Sequence, residues 1–146
     1  MVHAEYAVLI DRPIADVFAF LADGLNDPRW REGIVSIERI SDTTGVGAMY
    51  RQVVHGLGGT RVDSDYFISD YEPPRLLGFE VTSGPVRPVG HFELSEAGPA
   101  STRVRSILDV ATTGAMRFMT PMITREFDRE VRQIERLKQV MEAKAA

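Results

Sequence analysis

Cysteine is absent from all 146 residues. That excludes a disulfide frame, a thiolate metal ligand and a thiol nucleophile. No apolar run approaches the roughly 18 residues that would span a bilayer. The first residues, Met1-Val2-His3-Ala4-Glu5-Tyr6, show no basic stretch followed by an apolar block, so no secretory signal is expected. The expectations are therefore a cytoplasmic location and no stable membrane insertion. Histidine is scarce too: His3, His55 and His91 lie on separate segments with no HExxH or HxH spacing. Nothing local gathers the three or four ligands that a metal site needs, and neither metal nor cofactor is expected. Positive charge is in the minority, with 17 Lys and Arg against 21 Asp and Glu, a formal net charge of −4. This argues against a nucleic-acid partner. No serine stands in a Gly-x-Ser-x-Gly context, which argues against nucleophilic hydrolysis.

What is present is ordinary for a soluble globular protein, with 44% hydrophobic and 26% charged residues. The length fits one domain over 1–146 with a real core. Its most informative stretch is the last, from Gly114 to about Ala143. Met116, Met119, Ile123, Phe127, Val131, Ile134, Leu137 and Met141 recur there at close to the 3.6 period of one helix face. Arg125, Asp128, Arg129, Arg132, Glu135, Arg136 and Lys138 lie opposite. One long helix is predicted, with Pro121 kinking or restarting it because proline lacks a backbone N–H. Gly114, Pro121 and the methionines together predict a movable flap. Acidic and basic residues interleave along the stretch, which favours a solvated face with intrahelical pairs over a membrane surface.

The rest reads mostly as strands. Ala4–Asp11 is the first, followed by a helix from about Pro13 to Ala22 and a second short helix or turn at Asn26-Asp27-Pro28 carrying Trp30. Further strands are expected at about Ile34–Ile40, Ala48–His55, Thr60–Tyr71, Leu76–Thr82, Val89–Leu94 and Thr102–Ala111, separated by glycine- and proline-rich turns. Without intervening helices, successive strands should pair antiparallel. The predicted architecture is α+β: a curved seven-stranded antiparallel sheet gripping the C-terminal helix, with a ligand space between them. Alternation places Val104, Ser106, Leu108 and Val110 inward, with Phe92, Leu94, Leu77, Phe79, Val81, Val62, Tyr66 and Ile68. Both faces of Ala48–His55 are mixed, so its orientation stays open.

This order of elements resembles the START-like, or SRPBCC, superfamily with its helix-grip fold, and within it the bacterial polyketide cyclase/dehydrase-type branch. The residues that carry the resemblance are Pro13-Ile14-Ala15-Asp16-Val17-Phe18, Trp30, Gly45-Val46-Gly47 and Tyr71-Glu72-Pro73-Pro74-Arg75-Leu76. Gly84-Pro85-Val86 and Ser101-Thr102-Arg103-Val104 complete the set. The resemblance implies a deep apolar cavity. It does not by itself fix activity, since the superfamily holds carriers as well as cyclases.

Candidate binding residues follow: Tyr50, Gln52, Ser64, Tyr66, Phe79, Val81, Phe92, Ser106, Met116, Met119 and Ile123. Arg51, Tyr66 and His55 are the catalytic candidates, since a guanidinium or phenol in an apolar pocket can polarise a carbonyl. Asp63 and Asp65 point the same way from one strand, and exposure to water is expected for both. Gly56-Leu57-Gly58-Gly59 leads into a strand and not a helix, so it reads as a hairpin turn and not a phosphate cradle. The expected partner is a small hydrophobic molecule, bound by a monomer or homodimer. Three functions are consistent with this reading: a binding or transport module, a cofactor-independent polyketide cyclase or dehydratase, or a structural or regulatory domain with a filled cavity.

Overall fold

A computed structural model describes residues 1–143, and Leu57 by its backbone only. Strand β1 (Val2–Ile10) alternates buried and exposed side chains and leads to Pro13, which precedes α1 (Ile14–Ala22). The helix ends at Asp23, whose carboxylate accepts the Leu25 N–H at 3.0 Å and opens a 3-10 turn over Gly24–Arg29. Then come β2 (Ile34–Arg39), β3 (Met49–His55), β4 (Arg61–Asp63), β5 (Tyr66–Glu72), β6 (Leu76–Val81), β7 (Val89–Gly98) and β8 (Ser101–Val110).

The strands pair antiparallel in the order β1-β8-β7-β6-β5-β3-β2, a curled path of seven strands, with β4 pairing β3 beside it. The single strand expected over Thr60–Tyr71 is thus divided at Ser64 and Asp65. Asp65 causes the division: its Oδ1 accepts the Gln52 N–H at 3.0 Å, while its own N–H goes to Ser83 Oγ at 2.8 Å. A side chain takes the place of a ladder acceptor. Asp65 is accordingly half-buried, not water-facing as expected, whereas Asp63 is exposed.

The C-terminal helix is also corrected. It is not one rod from Gly114 but a 3-10 turn (Gly114–Met119), then α2 (Thr120–Arg132), then α3 (Ile134–Ala143). Pro121 occupies the first turn of α2, where a missing N–H costs nothing. At Gln133 the ladder tightens, its N–H bonding to Glu130 O at 3.1 Å, a three-residue step. The apolar stripe survives the interruption: Ile123, Phe127, Val131, Ile134, Leu137 and Met141 are all buried.

These residues divide between two apolar clusters. One gathers Ile134, Leu137 and Met141 with Trp30, Tyr50, Tyr66 and the buried face of α1. The other gathers Ile123, Phe127 and Val131 with Leu108, Val110 and the start of β1. Strand β3 is settled by burial. Tyr50 and Gln52 are each 2% exposed, while Met49 and Arg51 face out.

Candidate functional site

A cavity of about 900 Å³ lies between the sheet and α2, within the roughly 300–1,000 Å³ of small-molecule sites. Its sheet wall is Ile68, Leu77, Phe79, Val81, Phe92 and Leu108, and α2 contributes Ile123 and Phe127. The wall follows from strand alternation, since every second residue of β5 to β8 points the same way. The aromatic rings touch in sequence: Tyr66 meets Phe79 edge-on at 5.9 Å, Phe79 lies 6.1 Å from Phe92, and Phe92 meets Trp30 edge-on at 6.1 Å. Each such contact is worth about 0.5–1.5 kcal/mol beyond area burial, which stiffens this side of the cavity.

One region of the lining is polar, and three remote parts of the chain supply it. Arg31, just after the 3-10 turn, donates from Nε to Glu130 Oε1 on α2 at 2.7 Å. Its Nη1 donates to Asp27 Oδ2 at 3.0 Å and to Gln52 Oε1 on β3 at 3.1 Å. Tyr66 donates to Asp27 Oδ2 at 3.4 Å, Gln52 Nε2 donates to Ser64 O at 3.1 Å, and Gln133 Nε2 donates to Glu130 Oε2 at 2.9 Å. Arg31 and Asp27 side chains are only 17% and 11% exposed, so these bonds offset a real loss of hydration.

Electrostatics follow from that burial. Loss of water pushes the Asp27 carboxyl up to about 6, although Arg31 pulls it back. For Tyr66, burial first and the Asp27 charge second raise the pKa, so the hydroxyl stays protonated and can donate. Burial works against the Arg31 charge, but Glu130 and Asp27 more than offset it and hold the guanidinium protonated.

The residues expected at the site separate by where the fold places them. Gln52, Ser64, Tyr66, Phe79, Val81, Phe92, Ser106, Met119 and Ile123 line the cavity. Tyr50 does not: it stacks behind Tyr66 at 5.0 Å and faces a smaller space of about 230 Å³ with Arg39, Thr44 and Tyr71. Met116 packs against the second core cluster and not on the cavity wall. Of the catalytic candidates, Arg51 is corrected outright, being exposed on the outer face and paired with Glu38 at 3.0 Å. His55 sits exposed at the cavity rim, its Nδ1 3.4 Å from Gly59 O. His3 and His91 lie beside the carboxylates of Glu5 at 3.1 Å and Glu93 at 3.3 Å on β1 and β7, away from the cavity lining.

Asp27, Arg31 and Glu130 were not among the expected site residues. Their only sequence signal is the i, i+4 spacing of Asp27 and Arg31 around the lone tryptophan. Two further features concern lining side chains. No described group hydrogen-bonds the Ser106 hydroxyl, and Ser106 is 6% exposed. Trp30 Nε1 is fully enclosed and has no partner.

A curled sheet, a C-terminal helix and an apolar cavity between them define the helix-grip fold. Over residues 1–142 the chain matches the family described as "Polyketide cyclase / dehydrase and lipid transport", and it belongs to that family. The polyketide cyclase/dehydrase-type branch expected from the sequence therefore holds, and the START-like helix-grip fold is shared with solved structures. No curated protein sequence matches the chain.

Solved structures share the fold. The Zhui aromatase/cyclase from Streptomyces sp. R1128 is 19% identical with a TM-score of 0.75, covering 98% of this chain and 92% of that one. A START superfamily protein from Mycobacterium smegmatis is 15% identical with a TM-score of 0.70, covering 97% and 95%. The di-domain ARO/CYC BexL of the BE-7585A biosynthetic pathway is 21% identical with a TM-score of 0.76. This chain is covered to 95% but spans only 46% of BexL, a little under half its length. At family level the function is ligand binding or polyketide cyclisation. No described helix is long and apolar enough to cross a membrane.

Proposed function

We propose that the described residues act as one ligand-binding unit, holding a small hydrophobic, ring-bearing or lipid-like molecule in the cavity between sheet and α2. The observation that carries this reading is the cavity itself. At about 900 Å³ its volume supports the binding reading over that of a domain filled by its own side chains. Its aromatic row offers flat apolar contact, and the Arg31 cluster gives one place where a ligand oxygen can be oriented. Native mass spectrometry of freshly purified protein tests it. A retained extra mass, lost on denaturation and extractable as an apolar compound, is expected. An apo mass that stays unchanged after incubation with a panel of polycyclic and lipid ligands would sink the proposal.

One observation favours a second, catalytic reading. Asp27, with its carboxyl at about 6, stands beside the protonated Tyr66 and the Arg31 cation. An acid–base group poised near neutrality next to two donors suits cyclisation or dehydration through an enolate. Here Arg31 and Tyr66 would stabilise the developing oxyanion and Asp27 would move the proton. An Asp27→Asn variant that retains binding of a poly-β-ketone analogue but loses its turnover would support catalysis. Equal product yields with and without the protein would leave binding alone.

A further inference from the structure

A guanidinium has five N–H bonds to place. Arg31 directs Nε to Glu130 and Nη1 to Asp27 and Gln52. No described group accepts from Nη2. Nor is Nη2 enclosed, since Trp30 Nε1 is the one fully enclosed, unpartnered side-chain nitrogen or oxygen among the described residues. The Nη2 edge thus opens on free space, and Arg31 is part of the cavity lining. Three protein acceptors hold the plane of the group, so this edge is a donor fixed in advance.

The charge around that edge matters as much as the donor. Asp27 and Glu130 set two carboxylates against one guanidinium. With both ionised the cluster is net negative; with Asp27 protonated it is neutral. In neither state does it carry a positive charge left over. Of the other arginines of the lining, Arg129 pairs with Glu126 and Arg136 with Glu32 at 3.2 Å, while Arg132 keeps its charge but is held over the Tyr6 ring at 4.9 Å.

We infer that Arg31 presents Nη2 to a neutral acceptor oxygen, a ketone or hydroxyl on an aromatic or polycyclic ligand, and that Asp27 and Glu130 turn carboxylates away from the same position. This rests on the cavity-binding reading above and adds its selectivity. A neutral carbonyl gains a charge-assisted hydrogen bond while giving up little hydration. A carboxylate gives up far more hydration and then meets two like charges for one opposite. Asp27 itself shows both effects: loss of water first, and the Glu130 charge after it, raise its carboxyl against the pull of Arg31.

Calorimetric titration of the full chain at pH 8 with 2-acetylnaphthalene and 2-naphthoate provides the test. The two probes share a ring system and nearly a shape, and differ in charge. The wild-type protein should bind the ketone at least tenfold more tightly. Glu130→Gln should narrow the gap to less than threefold, and Asp27→Asn/Glu130→Gln should reverse it. Should Glu130→Gln fail to fold, Asp27→Asn alone must narrow the gap. Wild-type protein that takes both probes equally, or a folded Glu130→Gln that keeps the full gap, would overturn the selectivity while leaving cavity binding intact. Binding of neither probe would overturn the cavity reading, and the selectivity with it.

Discussion

Gln133 Oε1 accepts the backbone N–H of Glu32 at 2.6 Å across 101 positions of sequence. Gln133 is also the residue that interrupts the C-terminal helix, and its Nε2 steadies the carboxylate that holds Arg31. Helix break, chain crossing and polar cluster therefore share one residue. Arg136 reinforces the crossing by donating to Trp30 O at 2.9 Å.

Stability should follow the order of burial in this cluster. Arg31→Ala leaves two carboxylates without their cation and should cost about 3–5 kcal/mol. Gln133→Ala removes two hydrogen bonds, one from the exposed Glu32 N–H and one to Glu130 Oε2, and should cost about 1–2 kcal/mol. Glu130→Ala should fall between them, since its side chain is 35% exposed. Urea unfolding of the three variants checks the order, and Arg31→Ala as the mildest of them would contradict it.

The pH dependence has a definite sign. The Asp27 carboxyl rises from 3.8 unfolded to about 6 folded, so the folded chain holds this proton more tightly. Its contribution to stability is then fully present below about pH 4, falls as pH rises to about 6, and is flat above. The fall should amount to about 3 kcal/mol at most. In Asp27→Asn that segment of the stability curve disappears, so the difference between variant and wild type should grow in favour of the variant between pH 4 and 6. Parallel curves would show that Asp27 does not titrate there.

Position 24 gauges the space behind the cluster. A Cβ on Gly24 would meet the Tyr66 hydroxyl oxygen and come within 2.8 Å of Tyr50 Cε1. Both rings are locked in a stack, so neither can yield cheaply. Gly24→Ala should therefore cost about 1–3 kcal/mol and weaken cavity ligands by displacing Tyr66. Thermal melts with a ligand titration would detect both effects, and an Ala variant matching wild type in each would show that the stack gives way freely.

Ser106 offers the opposite case, a polar point in an apolar wall with no partner. Ser106→Ala changes the volume little and removes a poorly placed hydroxyl, so it should raise stability by about 1 kcal/mol. Only ligands whose own oxygen reaches β8 should bind less well. Destabilisation of the alanine variant would mean that the hydroxyl is partnered in solution.

Motion should concentrate at the start of the C-terminal segment. The 3-10 turn over Gly114–Met119 buries no residue, holds Gly114 at φ +59° and leaves Phe118 87% exposed. Relaxation dispersion should find microsecond-to-millisecond exchange from Gly114 to Thr124 that changes when ligand is added. Flat profiles in both states would remove the flap.

Much of the scaffold was legible because burial there follows simple periods. Val104, Ser106, Leu108 and Val110 all face inward as alternation requires, and the helix stripe kept its spacing across the interruption at Gln133. The polar end was not legible, for a physical reason: Asp27, Arg31 and Glu130 are residue types that normally face water. Only tertiary pairing makes their burial affordable, and pairing between positions 31 and 130 leaves no local pattern. Strand β3 defeated alternation for a related reason. Its inward face carries Gln52, whose amide is satisfied by Arg31 and Ser64, while its outward face carries the apolar Met49.

The Arg31–Glu130 bond closes a loop of 99 positions, and that span gives the cluster a place in the folding sequence. Local elements such as α1 and the hairpins from β5 to β8 can form from near neighbours, whereas contacts this distant follow once the intervening chain is ordered. The site should then be among the last features assembled. Intermediates with an intact sheet and an undocked α2 would have strands but no receptor. During refolding, recovery of ligand binding should lag recovery of far-ultraviolet dichroism, making occupancy a late marker of the finished chain.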